Sequence, residues 1–323
     1  MTQQQTQGII LSLGSVNADF QIRLDRKVGE TTTQLASDFR RFSGGKAANV
    51  AYLARKLGAK ASLLARVGND DLSQQALGTL SEMGIDLSQV EKVPDASTGF
   101  SVIMVPPDGK KNIVLANNAN DAWQKSDCDK VKQAIADAPA DSVLVVDYEV
   151  PAFVVEAAIK AAHARGFSIV LDPSPPDRVD KELYPLIDFL IPDASETESL
   201  TGIPATSAEE GKKAAQKLLR EGVQHAVVKL EDGGCVVAHA DTLLHVPAFE
   251  VEVVDTTGAG DAFAGALAVA LLEKRSLADI ACFAVAASHA AVTAYGSQPA
   301  YPSREKLNSF FDKISAQVKE LHA

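Results

Sequence analysis

The sequence predicts an α/β protein in which a mostly parallel sheet carries helices on both faces and bears a small β-sheet lid. Three observations lead there. Short β-branched apolar runs alternate with amphipathic helical runs along most of the chain, the order expected of parallel βαβ units. The runs at 8–16 (GIILSLGSV), 142–147 (SVLVVD) and 168–171 (SIVL) are apolar with little alternation, as strands buried on both faces are. Two segments, 17–43 and 98–116, lose the helical period and read as β excursions from that body.

Taken in order, 8–16 is the first strand, and 46–57 is a helix closed by Gly58 in the left-handed conformation. A second strand follows at 61–67, then a helix at 71–83 stopped by Gly84. Within 98–116, GFSVIMV and NIVLA are two strands about the turn PPDGKK. Short apolar strands fall at 142–147, 168–171 and 189–191, with a helix opening at Pro151 between the first two. Ser207 and Glu210 have capping-box spacing for a helix running to Glu221. A strand at 225–230 and an antiparallel hairpin from Cys235–His239 and Thr242–Val246 come next. Helices at 262–274, 277–294 and 304–319 complete the chain, the last with Leu307, Phe310, Phe311, Ile314 and Val318 on one stripe. There is no repeat and no low-complexity stretch, so the 323 residues are expected to form a single α/β domain, 1–323, with the lid as an appendage.

Composition narrows the functions. With 46% hydrophobic and 23% charged residues the chain is neither disordered nor collagen-like. No apolar stretch is long enough to span a bilayer, and MTQQQTQ at the N-terminus carries no basic-then-apolar leader, so neither membrane attachment nor export is expected. Cys128, Cys235 and Cys282 stand far apart without a CxxC pair, which points to a reducing cytoplasm. A net charge of −11 repels phosphate backbones and argues against a nucleic-acid partner, while leaving room for a nucleotide in a local positive pocket.

The strongest motif is DTTGAGDAFAGALAVALL, 255–272. Gly258, Ala259 and Gly260 sit where a loop becomes a helix, so small side chains and unpaired N–H groups favour a close-approaching phosphate. Asp261 would repel that phosphate, and its place makes sense as a base that takes a proton from an attacking hydroxyl. A second glycine-opened helix, FSGGKAANVAYLARKLGA at 42–59, puts Lys46 and Asn49 three residues apart on one face, suited to holding a polyol. GSVNAD, 14–19, ends the first strand, and ligands of open parallel sheets bind beyond the carboxyl ends of strands. Asn17 and Asp19, with Glu149 after SVLVVD, are therefore placed to hold hydroxyls. There is no GxxxxGK[ST], no GxGxxG after a strand and no HExxH. P-loop, dinucleotide-fold and zinc-protease chemistry thus lack their motifs. His289 lies in an apolar helix and reads as a packed core residue.

The two glycine-opened helices, about two hundred residues apart and in this order, resemble the two signatures of the ribokinase-like (PfkB-type) carbohydrate kinases. GSVNAD resembles that family's sugar-contact motif, RVGNDD (66–71) its VGxD turn, and LDPSPP (171–176) the proline-rich strand end of its ribokinase branch. SETESLTGI (195–203) resembles its magnesium-organising segment, and YGSQPA (295–300) a loop near the nucleotide and a monovalent-cation site. The resemblance covers nearly the whole chain. It implies transfer of the ATP γ-phosphate to a sugar hydroxymethyl group. Ribose or a similar pentose is favoured over another furanose, a ketose or a nucleoside, and over a non-catalytic sugar- or nucleotide-binding regulator. By the same resemblance Asp261 is the base and Gly258, Ala259 and Gly260 form the anion hole. Asn17, Asp19, Gly45, Lys46, Asn49 and Glu149 hold the sugar, and Ser195, Lys229, Glu231 and Gly234 meet the nucleotide. Glu198 places Mg²⁺ through water, and Asp255 with the Thr257 carbonyl forms a site for K⁺ or a similar cation. Five positions depart from the pattern: Ser195 for Asn, Lys229 and Glu231 for Thr and Gly, Ala300 for Ser, and Asn118 for Gly. Apolar lid strands that clasp a second lid are implied as well, hence a homodimer joined through 17–43 and 98–116.

Overall fold

A computed structural model describes residues 8–27, 33–109 and 111–321. The N-terminal MTQQQTQ, residues 28–32 inside the first lid segment and Lys110 of PPDGKK lie outside the described residues. Strand β1 (Ile10–Leu13) is buried on both faces, Ile10 packing into one hydrophobic layer and Leu11 and Leu13 into the other. It is shorter than its apolar run because the chain turns at Gly14, where a Cβ would meet Asp147 Oδ2 at 1.7 Å. Two lid strands follow, β2 (Asn17–Leu24) and β3 (Ala36–Gly44). Helix α1 (Lys46–Lys56) opens after Gly45 at φ +92° and is closed by Gly58 at +91°. Next come β4 (Ala61–Gly68), α2 (Asp71–Glu82), capped by Asp70 through the Ser73 amide, and β5 (Val90–Val93). The lid is completed by β6 (Gly99–Val105) and β7 (Asn112–Ala116).

The body resumes with α3 (Asp127–Asp137), β8 (Val143–Asp147), α4 (Ala152–Ala164), β9 (Ser168–Asp172) and β10 (Phe189–Leu190). It continues through α5 (Ala194–Thr201), α6 (Ala208–Arg220), β11 (His225–Lys229), β12 (Cys235–His239) and β13 (Thr242–Val246). The last elements are α7 (Ala259–Leu272), α8 (Leu277–Ala291), α9 (Arg304–Ser315) and β14 (Lys319–Glu320). Among the described residues no helix is long and apolar enough to cross a membrane.

The body strands run in the order β14-β13-β12-β11-β10-β9-β8-β1-β4-β5, parallel from β11 to β5 and antiparallel from β11 to β14. The lid is a separate sheet, β3-β2-β6-β7. Local details differ from the sequence reading for identifiable reasons. Helix α7 starts three residues before its apolar run, since Ala259 and Gly260 already belong to its first turn. The Ser207 box is half formed: Ser207 Oγ accepts the Glu210 amide, but the Glu210 carboxylate turns to the Thr206 amide at 3.1 Å. A complete box stands instead at the start of α5, between Asp193 and Glu196. Strand β14 is two exposed charged residues paired to β13, and no apolar pattern announces it.

This order puts a topological switch at β1, whose neighbours β8 and β4 lead the sheet in opposite directions. The crevice beyond the carboxyl ends of β1 and β8 is where ligands of such sheets bind. Helices α1 and α7 are packed tightly beside it. Gly265 of α7 makes this possible, because a Cβ there would lie 3.3 Å from the Val50 carbonyl and 3.4 Å from Leu53. Gly265→Val should therefore push α1 from α7 and destabilise the fold by about 1–3 kcal/mol, seen as a lowered thermal midpoint.

Candidate active site

A cavity of about 380 Å³ lies under the lid at the carboxyl ends of the strands. From β1 and the chain after it come Ser15, Asn17 and Asp19. Ser15 Oγ donates to Glu149 at 2.5 Å and accepts the Lys46 amide at 2.9 Å, joining three of the predicted motifs through one hydroxyl. Asn17 is held by Asn120, whose Nδ2 donates to Asn17 Oδ1 at 2.8 Å while its Oδ1 accepts the Val16 amide. This pairing leaves the Asn17 amide nitrogen as the group available to a ligand. Gly99 leaves room for the pair, since its Cβ would fall 2.3 Å from Asn120 Nδ2. Gly44 does the same for Asp19, whose Oδ2 would lie 1.9 Å from an added Cβ.

The electrostatic centre is Lys46, at the first position of α1. Its Nζ lies 3.3 Å from Asp172 Oδ2 and 3.7 Å from Asp261 Oδ1. Burial opposes its charge, but Asp172, Asp261, Glu149 and Glu196 hold it well above the ordinary lysine value. Burial raises the Asp147 carboxyl well above its usual range, with the Glu149 charge adding to the effect. Burial also raises Glu149, against the pull of Lys46 and the Ser15 hydrogen bond. Asp172 is the reverse case: burial is outweighed by Lys46 and Lys229, and its carboxyl is lowered. Asp19 is pushed up to about 7, chiefly by burial and further by the Asp261 and Glu149 charges, against a Ser101 hydroxyl at 2.6 Å.

Asp261 is buried in the first turn of α7, and Asn49 Nδ2 donates to its Oδ2 at 2.7 Å. At the start of α7 the Ala259 amide donates to the Thr256 carbonyl at 3.3 Å, and the amides that follow it in the first turn lack an intrahelical acceptor beside the cavity that Gly258 and Gly260 line. Gly258 turns the chain there at φ +72°, and a Cβ would sit 2.5 Å from Tyr301 Oη. Only glycine fits the turn. Lys229, ending β11, reaches the mouth of this helix, with its Nζ 3.8 Å from where a Gly260 Cβ would stand.

The structure brings together Asn17, Asp19, Gly45, Lys46, Asn49, Glu149, Lys229, Thr257, Gly258, Gly260 and Asp261 around one cavity. It does not bring Ser195, Glu198 or Glu231 there; all three are exposed. On α5 the residues that face the cavity are Asp193 and Glu196, and Glu198 stands ~200° round the helix from Glu196. The physical cause is the capping box: Asp193 Oδ1 accepts the Glu196 amide at 2.8 Å and Glu196 Oε2 accepts the Asp193 amide at 2.7 Å. Gly234 is buried and off the cavity, which KLEDGG meets through Lys229, Leu230 and Gly233. Ala259 contributes to the first turn of α7 without lining the space. Asp255 is fully buried just ahead of the Gly258 turn. Its carboxylate accepts the Thr257 amide at 2.9 Å, the Thr257 hydroxyl at 2.6 Å, the Gly296 amide at 2.9 Å and the side-chain amide of Gln21 from the lid. Four donors fill it, so the residues present do not fit a monovalent cation at that carboxylate.

Sequence reasoning missed Ser101, Lys111, Asp172, Asp193 and Glu196 as cavity residues. Asp172 and Glu196 stood inside quoted motifs and their acidic character was the available signal. Lys111 had none beyond its place in a lid turn; it donates to the Thr256 carbonyl at 3.0 Å.

Comparison with known proteins identifies the family and the fold. The family pattern described as pfkB family carbohydrate kinase matches residues 9–304. A ribokinase of Haemophilus influenzae is 32% identical over 302 residues, spanning 93% of this chain and 97% of its own. A deoxyribokinase of Salmonella typhi is 32% identical over 302 residues, spanning 93% and 98%. The solved Arabidopsis thaliana ribokinase complexed with ribose and ATP superposes with a TM-score of 0.80 at 29% identity, covering 95% of this chain and 99% of that one.

The charge state of Asp19 is directly measurable. Its carboxyl carbon should titrate about neutrality in the unliganded protein, and Ser101→Ala, by removing a donor to the anion, should move that midpoint upward. Carbon-detected NMR across pH 5–9 checks both, assigning the signal by its loss in Asp19→Asn.

Proposed function

The chain belongs to the pfkB family of carbohydrate kinases, and from that premise we propose that its acceptor is ribose, phosphorylated on the hydroxymethyl group. It is an ATP-dependent sugar kinase. The observation that carries the proposal is Asp261: a buried carboxylate in the first turn of a glycine-opened helix, hydrogen-bonded by Asn49 and 3.7 Å from Lys46. A hydroxyl is a poor nucleophile at neutral pH, and the γ-phosphoryl group is approached only if its charge is met. Asp261 removes the hydroxyl proton as the bond to phosphorus forms. The N–H groups of Gly258 and Gly260, with Lys229, take the charge on the phosphoryl oxygens, while the Ala259 amide is held by the Thr256 carbonyl. Asn17, Asp19, Lys46 and Glu149 hold the sugar hydroxyls, with Gly45 leaving space beside Ser15. Lys229 and Gly233 stand on the nucleotide side, and the lid excludes the water that would otherwise hydrolyse ATP.

Mg²⁺ keeps several waters and binds through one or two carboxylates plus phosphates. Asp193 and Glu196 fit that role, oriented by their capping box, and Asp172 Oδ1 beside them is buried without a hydrogen-bond partner among the described residues. When bound, the ion supplies charge neutralisation on the β- and γ-phosphates. No step is assigned to a monovalent cation. A second reading, 2-deoxyribose as acceptor, is favoured by the deoxyribokinase, which is as similar as the ribokinase. Cys128, Cys235 and Cys282 are buried free thiols, in keeping with a reducing cytoplasm.

The lid supports a proposal on assembly. Its outer face presents Phe20, Phe39, Phe100, Val102, Met104 and Val114, of which Phe39 is 54% and Val114 62% exposed. We propose that two copies cover these faces against each other.

Two measurements test these readings. Asp261→Asn keeps size and removes basicity, so kcat should fall about 10²–10⁴-fold while ribose and ATP still bind by calorimetry; a variant retaining a tenth of the activity would sink the base assignment. Light scattering at low micromolar concentration should give twice the chain mass of 34.1 kDa, and Val114→Lys with Phe39→Lys should give the chain mass itself.

A further inference from the structure

One buried residue outside the described machinery has a directional connection to it. Gln298, in the loop after α8, is buried, and its Nε2 donates to Ser43 Oγ at 3.1 Å and to Asn49 Oδ1 at 3.1 Å. Ser43 in turn donates to the Ala76 carbonyl of α2 at 2.6 Å. A hydroxyl has one proton. With that proton committed to Ala76, Ser43 can only accept from Gln298, so the nitrogen of the Gln298 amide is the end that faces it. The same NH₂ group then meets Asn49 at its oxygen, which leaves Asn49 Nδ2 as the end facing Asp261. Turning either amide over would set oxygen against oxygen or nitrogen against nitrogen along the chain. The arrangement is kept although Gln298 Oε1 is left buried without a partner among the described residues, and an unmet acceptor is unfavourable.

We propose that Gln298 is a positioning residue for phosphoryl transfer: it fixes the orientation of the Asn49 amide so that Asn49 donates to Asp261. Donors run outward from the Gln298 NH₂ group along two branches, through Ser43 to the Ala76 carbonyl of α2 and through Asn49 to the carboxylate on α7. Asn49 without Gln298 can present its oxygen to Asp261, which repels the carboxylate and swings it from the hydroxyl it serves. This inference rests on Asp261 acting as the base.

A double-mutant cycle on the whole protein tests it. Gln298→Met removes the donor at similar volume and should lower kcat about tenfold, with KM for ribose and for ATP changed less than twofold. In an Asn49→Ala background the same substitution should change kcat less than twofold, because the group it orients is gone. Thermal midpoints report folding, and Gln298→Glu, of the same size but without a donor, carries the same cycle if the Met variant does not fold. Equal losses in both backgrounds, or a loss confined to KM, would overturn the proposal and leave Gln298 a packing residue. Asp261→Asn separates the two levels. If it stays active, the base reading fails and this inference with it. If it is inactive and the cycle is additive, only the role of Gln298 falls.

Discussion

Everything in the site is arranged around one buried ammonium among carboxylates. Lys46 Nζ stands between Asp172 and Asp261, with Glu149 and Glu196 close enough to raise its pKa. Carboxylates gathered around one cavity repel one another, and a lone lysine there would be opposed by its burial. The two needs answer each other, and the elements are placed to meet both. Helix α1 begins at Lys46 because Gly45 turns the chain. Strand β9 ends on Asp172 and α7 begins beneath Asp261, each at the carboxyl-end crevice that a parallel sheet provides. Breaking one partner would leave uncompensated buried charge, which is far worse than never having built the pair.

The fold was legible because its signals are local. β-branched runs, Gly58 and Gly84 past helix ends and a polar break at 17–43 each act within a few residues. The site was legible where a motif joins a loop to a helix, as at Gly258, Gly260 and Asp261, since geometry there follows from adjacency. It was less so where facing decides. Glu196 and Glu198 are both acids of one short helix, and only the capping box, which needs Asp193 as N-cap, tells which of them turns inward. Asp172 sits in a proline-rich segment, where the prolines are the conspicuous feature but the carboxylate at the strand end is what meets Lys46. Lys111 reaches the cavity through the lid pairing of β7 with β6, a contact between strands that no single segment encodes.

The lid is more than a cover, and the reason lies in which loop it grips. From β2, Gln21 donates to Asp255; from the turn before β7, Lys111 donates to the Thr256 carbonyl, and the Thr256 hydroxyl donates to the Gly109 carbonyl at 3.2 Å. Asp255 and Thr256 immediately precede the Gly258 turn. The lid is thus bonded to the segment that opens α7, and the cavity residues Asn17 and Asp19 of the same strand lie four and two positions from Gln21. On β2 these three alternate inward on one face. On the proposed roles, a sugar held by that face and an anion hole braced by it would share one rigid strand, so the acceptor and the phosphate donors would be referred to the same frame, which is what an in-line transfer requires.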